Sequence, residues 1–210
     1  MSRTKSSAVS NNAPWRGGRR ILVSVLATLA LFLLAGCMAR YLPVPEPGIE
    51  VDDDHAVFTV DGLRVIVSKR SWLREPDNLN DYFTTFYVQV RNMSAQDTWR
   101  ILPGEFSMLD EFSSQFDAVS PLDVVGLLLD RDPYAHYVGD LNQSLVERDA
   151  LVRKQTEGRA NMQAYAFSFG DILPGATKSG YIFFNRLPSS NQSATLVFRG
   201  RRVRFVRSKD

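Results

Sequence analysis

Apolar positions along the 210-residue chain fall into three regimes. The first is a near-continuous run over 21–34, ILVSVLATLALFLL, preceded by Arg16, Arg19 and Arg20 and followed by Ala35, Gly36 and Cys37. The second begins at Ala56 and has period two. Val57-Phe58-Thr59-Val60, then Asp61-Gly62, then 63–68 predict a hairpin, because Asp-Gly between β-branched runs is a strong turn signal. A strand is expected over 82–91, with Phe86, Val88 and Val90 on one face and Gln89 and Arg91 on a wet one. Short strands follow over 99–102, closed by Pro103-Gly104, and over 105–110, where Phe106 and Met108 share a side. Later strands are expected over 164–169 (Tyr165, Phe167 and Phe169 on one side), 180–185, 194–198 and 201–205, with turns at Leu173-Pro174-Gly175 and 187–192.

The third regime, 118–163, has helical spacing. Ser120 predicts an N-cap with Pro121 at the first helical position, followed by Asp123, Val124, Val125, Leu127 and Leu128. A second helix is expected over 140–157, with Leu141, Leu145, Val146 and Val152 as its apolar stripe. Residues 155–159, Gln-Thr-Glu-Gly-Arg, read as its stop. Between the first two regimes, Leu42-Pro43-Val44-Pro45-Glu46-Pro47-Gly48 predicts an extended tether, since each proline holds its neighbourhood out of the helical region.

A basic start, an apolar centre and small residues at a cut point are the parts of a secretory signal. The fourteen residues 21–34 reach about 21 Å as a helix, against about 30 Å for a bilayer core. Counting on to Ala39 brings the run to nineteen residues, so length alone leaves an uncleaved single-pass helix open. Leu34-Ala35-Gly36-Cys37 resembles the lipobox of bacterial lipoproteins at all four positions. The resemblance implies cleavage before Cys37, a diacylglycerol on its thiol and fatty chains such as palmitate on the new N-terminus. Two or more chains hold a protein stably to a membrane, where one holds marginally. Met38 stands where relatives retained at the inner membrane carry aspartate, which implies an outer-membrane anchor facing the periplasm. Arg19-Arg20 also resembles, faintly, a twin-arginine export signal.

Cleavage would change the charge. Of the 25 basic residues, Arg3, Lys5, Arg16, Arg19 and Arg20 precede Cys37 and no acid does, leaving 20 basic against 23 acidic residues. A case for nucleic-acid binding from net charge disappears. The 174 residues from Cys37 onward are enough for one domain with a core. Cys37 is the only cysteine, so no disulfide staples that core.

Val90-Arg91-Asn92 before a turn, and Leu173-Pro174-Gly175 leading into Tyr181-Ile182-Phe183-Phe184, resemble the small immunoglobulin-like domains of bacterial envelope lipoproteins over 56–117 and 164–207. The resemblance implies a sandwich used for binding or display, with 118–163 as a departure from the pattern. The expected fold class is therefore mainly β: an immunoglobulin-like antiparallel sandwich with an inserted two-helix segment, after an N-terminal signal peptide. The expected organisation is a signal peptide over 1–36, an acylated cysteine and tether over 37–55, and the sandwich over 56–210.

Catalytic parts are sparse. His55 and His136 have no metal-ligand spacing, and no Gly-x-Ser-x-Gly elbow or phosphate-cradling glycine loop occurs. Asp52-Asp53-Asp54 lacks the alternation of a calcium loop. Asp110-Glu111 and Asp130-Arg131-Asp132 are adjacent carboxylates that would diverge on a strand, so turns are expected rather than a glycosidase pair. No catalytic residue, metal or cofactor is expected beyond the covalent lipid on Cys37. The strongest interaction candidate is the basic patch Arg199, Arg201, Arg202, Arg204 and Arg207, with Val203 and Phe205 sharing a face with Arg201 and Arg207. Arginines beside a bilayer attract anionic lipid at about 1 kcal/mol per charge. They also suit acidic polysaccharide or a partner's carboxylates, or simply keep an edge strand soluble. The reading is a non-enzymatic, lipid-anchored envelope protein of binding or scaffolding type. Its alternatives are a subunit of a secretion or transport assembly, docked through exposed aromatics of 164–184, and an envelope hydrolase or accessory subunit with a site between insertion and sandwich.

Overall fold

The computed structural model describes residues 40–129 and 141–208, with the backbone alone over 141–146. Two five-stranded antiparallel sheets face each other. One has the order β1 (Tyr41–Pro43), β12 (Arg201–Arg207), β11 (Ser193–Phe198), β7 (Phe106–Leu109), β8 (Gln115–Asp117). The other runs β10 (Thr177–Asn185), β5 (Phe83–Asn92), β4 (Leu63–Ser68), β3 (His55–Val60), β2 (Glu50–Asp52). A two-stranded sheet, β6 (Trp99–Ile101) with β9 (Gly170–Ile172), closes one end. The chain crosses between sheets from β5 to β7 and again from β10 to β11. Meanwhile β11 pairs with β7 and β10 with β5. This is the connectivity of an immunoglobulin-like sandwich.

The expected hairpins are present. Asp61 and Gly62, at φ 50° and 75°, turn β3 into β4, and Arg199 and Gly200, at φ 48° and 77°, turn β11 into β12. Positive φ at both central residues matches the twist of the flanking strands. Between the sheets lie Phe86, Val88, Val90, Phe106, Met108, Phe184, Leu196, Phe198, Val203 and Phe205, all buried. Phe86 meets Phe205 of the facing sheet edge-on at 5.3 Å between centroids, and Phe106 stacks on Phe198 at 4.5 Å. With no cystine available, this apolar packing holds the two sheets together.

The helical insertion consists of α2 (Pro121–Leu129) and α3 (Leu141–Tyr165); a single turn, α1 (Leu79–Tyr82), precedes β5. Ser120 caps α2 as predicted: its hydroxyl accepts from the Asp123 amide at 3.2 Å. Val124 and Met162 join Trp72, Leu79, Phe83 and Phe183 in a second apolar cluster, on the sheet face away from the sandwich core. Both ends of the insertion are tied to the free edge of β10. The Val119 amide donates to the Phe183 carbonyl at 2.8 Å and the Phe167 amide to the Tyr181 carbonyl at 2.9 Å. The approach at the second contact leaves no room for a Cβ on Gly180, which would lie 2.5 Å from the Phe167 nitrogen.

Four expectations need correction. The segment 155–159 does not stop α3, which runs on to Tyr165. Gly158 sits where α3 meets α2, and a Cβ there would lie 3.0 Å from both Leu129 methyls. It is a packing glycine, not a terminator. The buried side of α3 runs through Gln155, Gly158 and Met162, while Val152 is 42% exposed. Leu141, Leu145 and Val146 lie outside the described side chains. The strand expected over 164–169 is not formed: 164 and 165 belong to α3, Ala166 makes an isolated bridge, and Phe167 and Phe169 cover Phe106. Finally, the proline-rich segment is extended but not free. Tyr41–Pro43 pairs with β12, and the 46–49 turn then leads directly into β2 of the other sheet.

Gly180→Ala should cost about 1–3 kcal/mol, the usual penalty of overpacking, whereas Gly104→Ala, with nothing within 4 Å, should cost little. Urea midpoints of the two variants check this; equal midpoints would contradict the close approach.

Candidate functional site

The five arginines of the C-terminal patch have different surroundings. Arg199 sits at the β11–β12 turn with its side chain only 12% exposed, 2.7 Å from Glu105 and 3.7 Å from Asp61. It also donates to the Arg100 carbonyl at 3.0 Å and lies over the Trp99 ring. That set of partners makes it a bolt between three turns. Arg201 donates to the Pro47 carbonyl at 2.6 Å. A Cβ on Gly48 would fall 2.1 Å from the same nitrogen, so this arginine pins the 46–49 turn. Arg207 donates to the Ser189 carbonyl at 3.0 Å. Arg202 and Arg204 are exposed on the outer face, opposite Val197 and Thr195 of β11, while Val203 and Phe205, on the other face of the strand, are buried in the core. Thus two of the five arginines face solvent freely.

The lipobox residues Leu34, Ala35, Gly36 and Cys37 lie outside the described residues, as do His136 and the Asp130-Arg131-Asp132 group. Asp110 caps a turn, accepting from the Phe112 and Ser114 amides at 2.9 and 2.7 Å. Glu111 accepts from the Gln192 amide at 3.1 Å. Asp53 and Asp54 form the β2–β3 turn, with Asp54 paired to His55 and 3.7 Å from Arg70. Among the described residues no cluster of three or more His, Cys, Asp or Glu has metal-binding geometry.

A site that sequence reasoning missed lies at the end of the sandwich where β1 and β5 begin and β10 and β12 end. There a cavity of about 230 Å³ is lined by Tyr41, Lys69, Ser71, Thr84, Arg186 and Arg207, among others, and by no carboxylate. Lys69 lies just past β4, with its ammonium 4.4 Å from the centre of the Tyr41 ring. Arg186 follows β10 and donates to the Asp81 carbonyl at 2.9 Å. None of the three cations has an acidic partner among the described residues. Burial pushes the Lys69 ammonium down from 10.5 to about 8. The cations come from three separate segments that only the folded sheets bring together, so no spacing in the chain announced them.

What the residues define is a fold: a mainly β antiparallel sandwich carrying a helical lobe. No family model, curated protein or solved structure matches the chain.

The Lys69 shift carries a sign. Below pH 8 the folded and unfolded lysine are both protonated, and the burial penalty stands in full. Between about 8 and 10.5 the unfolded chain holds the proton that the folded one has lost, so stability should rise with pH. Relative to Lys69→Met, the wild type should gain about 1–3 kcal/mol between pH 7 and pH 10, measured by denaturant unfolding at both values. Parallel pH profiles would contradict the burial of that charge.

Proposed function

We propose that the chain is a lipid-anchored cell-envelope protein of binding or scaffolding type rather than an enzyme. One observation carries the reading: Leu34-Ala35-Gly36-Cys37 stands immediately behind a basic flank and an apolar run of signal-peptide length. In this reading residues 1–36 are removed and a glyceride is joined to Cys37. Pairing with β12 already begins at Tyr41, so only residues 38–40 remain as tether. Four residue steps from Cys37 to Tyr41 span at most about 14 Å. The tether is therefore short, and the end of the sandwich holding Tyr41 faces the outer-membrane surface. Arg202 and Arg204 add the solvent-facing charge that an anionic headgroup, an acidic polysaccharide or an envelope partner would meet. Among the described residues no helix is long and apolar enough to cross a membrane.

The runner-up is a subunit of an envelope secretion or transport assembly. It loses most of the aromatics of 164–184, because Phe167, Phe183 and Phe184 are buried, although Tyr165 stays 40% exposed. It draws also on Leu122 and Leu127 of α2, 82% and 56% exposed.

Cys37→Ser should yield an uncleaved precursor without acyl label. Mass spectrometry of the membrane-extracted protein reads this directly, and a normally processed, acylated variant would refute the anchor.

A further inference from the structure

We infer that the cavity at the β1–β12 end of the sandwich binds a phosphate group, carried by an anionic phospholipid or free in solution. Three cations, Lys69, Arg186 and Arg207, line one small space without a carboxylate. Like charges held together in a partly dry site repel one another, and an anion relieves the repulsion. Burial alone depresses the Lys69 pKa, so its ammonium sits in a partly dry part of that space.

The hydrogen-bond inventory selects phosphate over a generic anion. Arg186 and Arg207 each commit only one terminal nitrogen to a backbone carbonyl, leaving the rest of each guanidinium fork free. The Thr84 hydroxyl accepts from the Leu187 amide at 3.0 Å, so its own proton remains to be given. Ser71 supplies a second hydroxyl. The groups left over are therefore overwhelmingly donors, arranged around one space, and a tetrahedral anion with several acceptor oxygens satisfies more of them than a planar carboxylate. Its volume, about 230 Å³, is below the roughly 300–1,000 Å³ of sites for drug-sized ligands, which fits a headgroup-sized phosphate. The site belongs to the folded domain and stands whether or not Cys37 is acylated.

The test uses the full-length protein purified in uncharged detergent and titrated calorimetrically with inorganic phosphate and, separately, with short-chain phosphatidylglycerol. Short-chain phosphatidylcholine and sodium acetate serve as comparisons. Binding of phosphate assigns a soluble phosphate ligand. Binding of phosphatidylglycerol without free phosphate assigns a lipid headgroup. In either case Lys69→Gln and Arg207→Gln should each weaken binding at least tenfold while the variants stay folded, with cooperative unfolding transitions. The paired Arg64→Gln, Arg91→Gln variant, which removes two exposed cations of the β4–β5 pair away from the cavity, should change it less than twofold. Failure of the wild type to bind either phosphate compound overturns the proposal. So does an equal loss in the surface variant, or acetate binding as tight as phosphate.

Discussion

One strand, β10, carries most of the structure's interdependence. Its inner face gives Ile182 and Phe184 to the sandwich core, and its outer face gives Phe183 and Tyr181 to the cluster under the helical lobe. One edge pairs with β5 over nine residues, from Thr177 to Asn185. The other edge, which would otherwise offer unpaired amides and carbonyls to any passing strand, is taken by the two ends of the insertion. Gly180 is the point of closest approach, so a side chain there would push away the segment that returns from α3. The insertion is thereby joined to the sandwich through an element that both cores share.

A chain with Cys37 as its sole cysteine can form no internal disulfide and must gain its rigidity from packing and polar clamps. The phenylalanines supply the first. Asn92 shows the second: fully buried, it donates to the carbonyls of Asp97 and Ile172 at 2.7 and 3.1 Å and accepts from the Ser94 amide at 2.9 Å. That side chain binds the turn after β5 to β9, and losing it would leave buried carbonyls unpaired. Arg199 and Arg201 are clamps of the same kind. Positive charge in this chain thus serves three ends: Arg199 and Arg201 hold turns, Arg202 and Arg204 meet solvent, and Lys69, Arg186 and Arg207 gather at the cavity.

The sandwich was legible because its signals are local. Asp61-Gly62 fixes a turn by backbone conformation, and alternation in 86–91 and 201–205 states which residues face inward. Ser120 with Pro121 marked a helix start by hydrogen-bond chemistry. The misreadings arose where tertiary contact overrides local preference. Gly158 looked like a helix stop because glycine is poor in helices, yet close packing on Leu129 demands it. The prolines of 43–47 promised a free tether, but an edge strand tolerates proline, and Tyr41–Pro43 found a partner in β12. The cavity was invisible for a different reason: Lys69, Arg186 and Arg207 carry no mutual spacing, and only the meeting of four strand ends creates the site.

The central structural claim is that lobe and sandwich form one cooperative unit through β10. Native-state hydrogen exchange resolved at single amides tests it most directly, at Val119 and Phe167, whose protons are committed to the β10 carbonyls. If the claim holds, these two amides exchange as slowly as those of Val88 and Val90 within the sheet, through the same global opening. Fast exchange at Val119 and Phe167 beneath a protected β5 would show a lobe that opens on its own, and the account would be wrong.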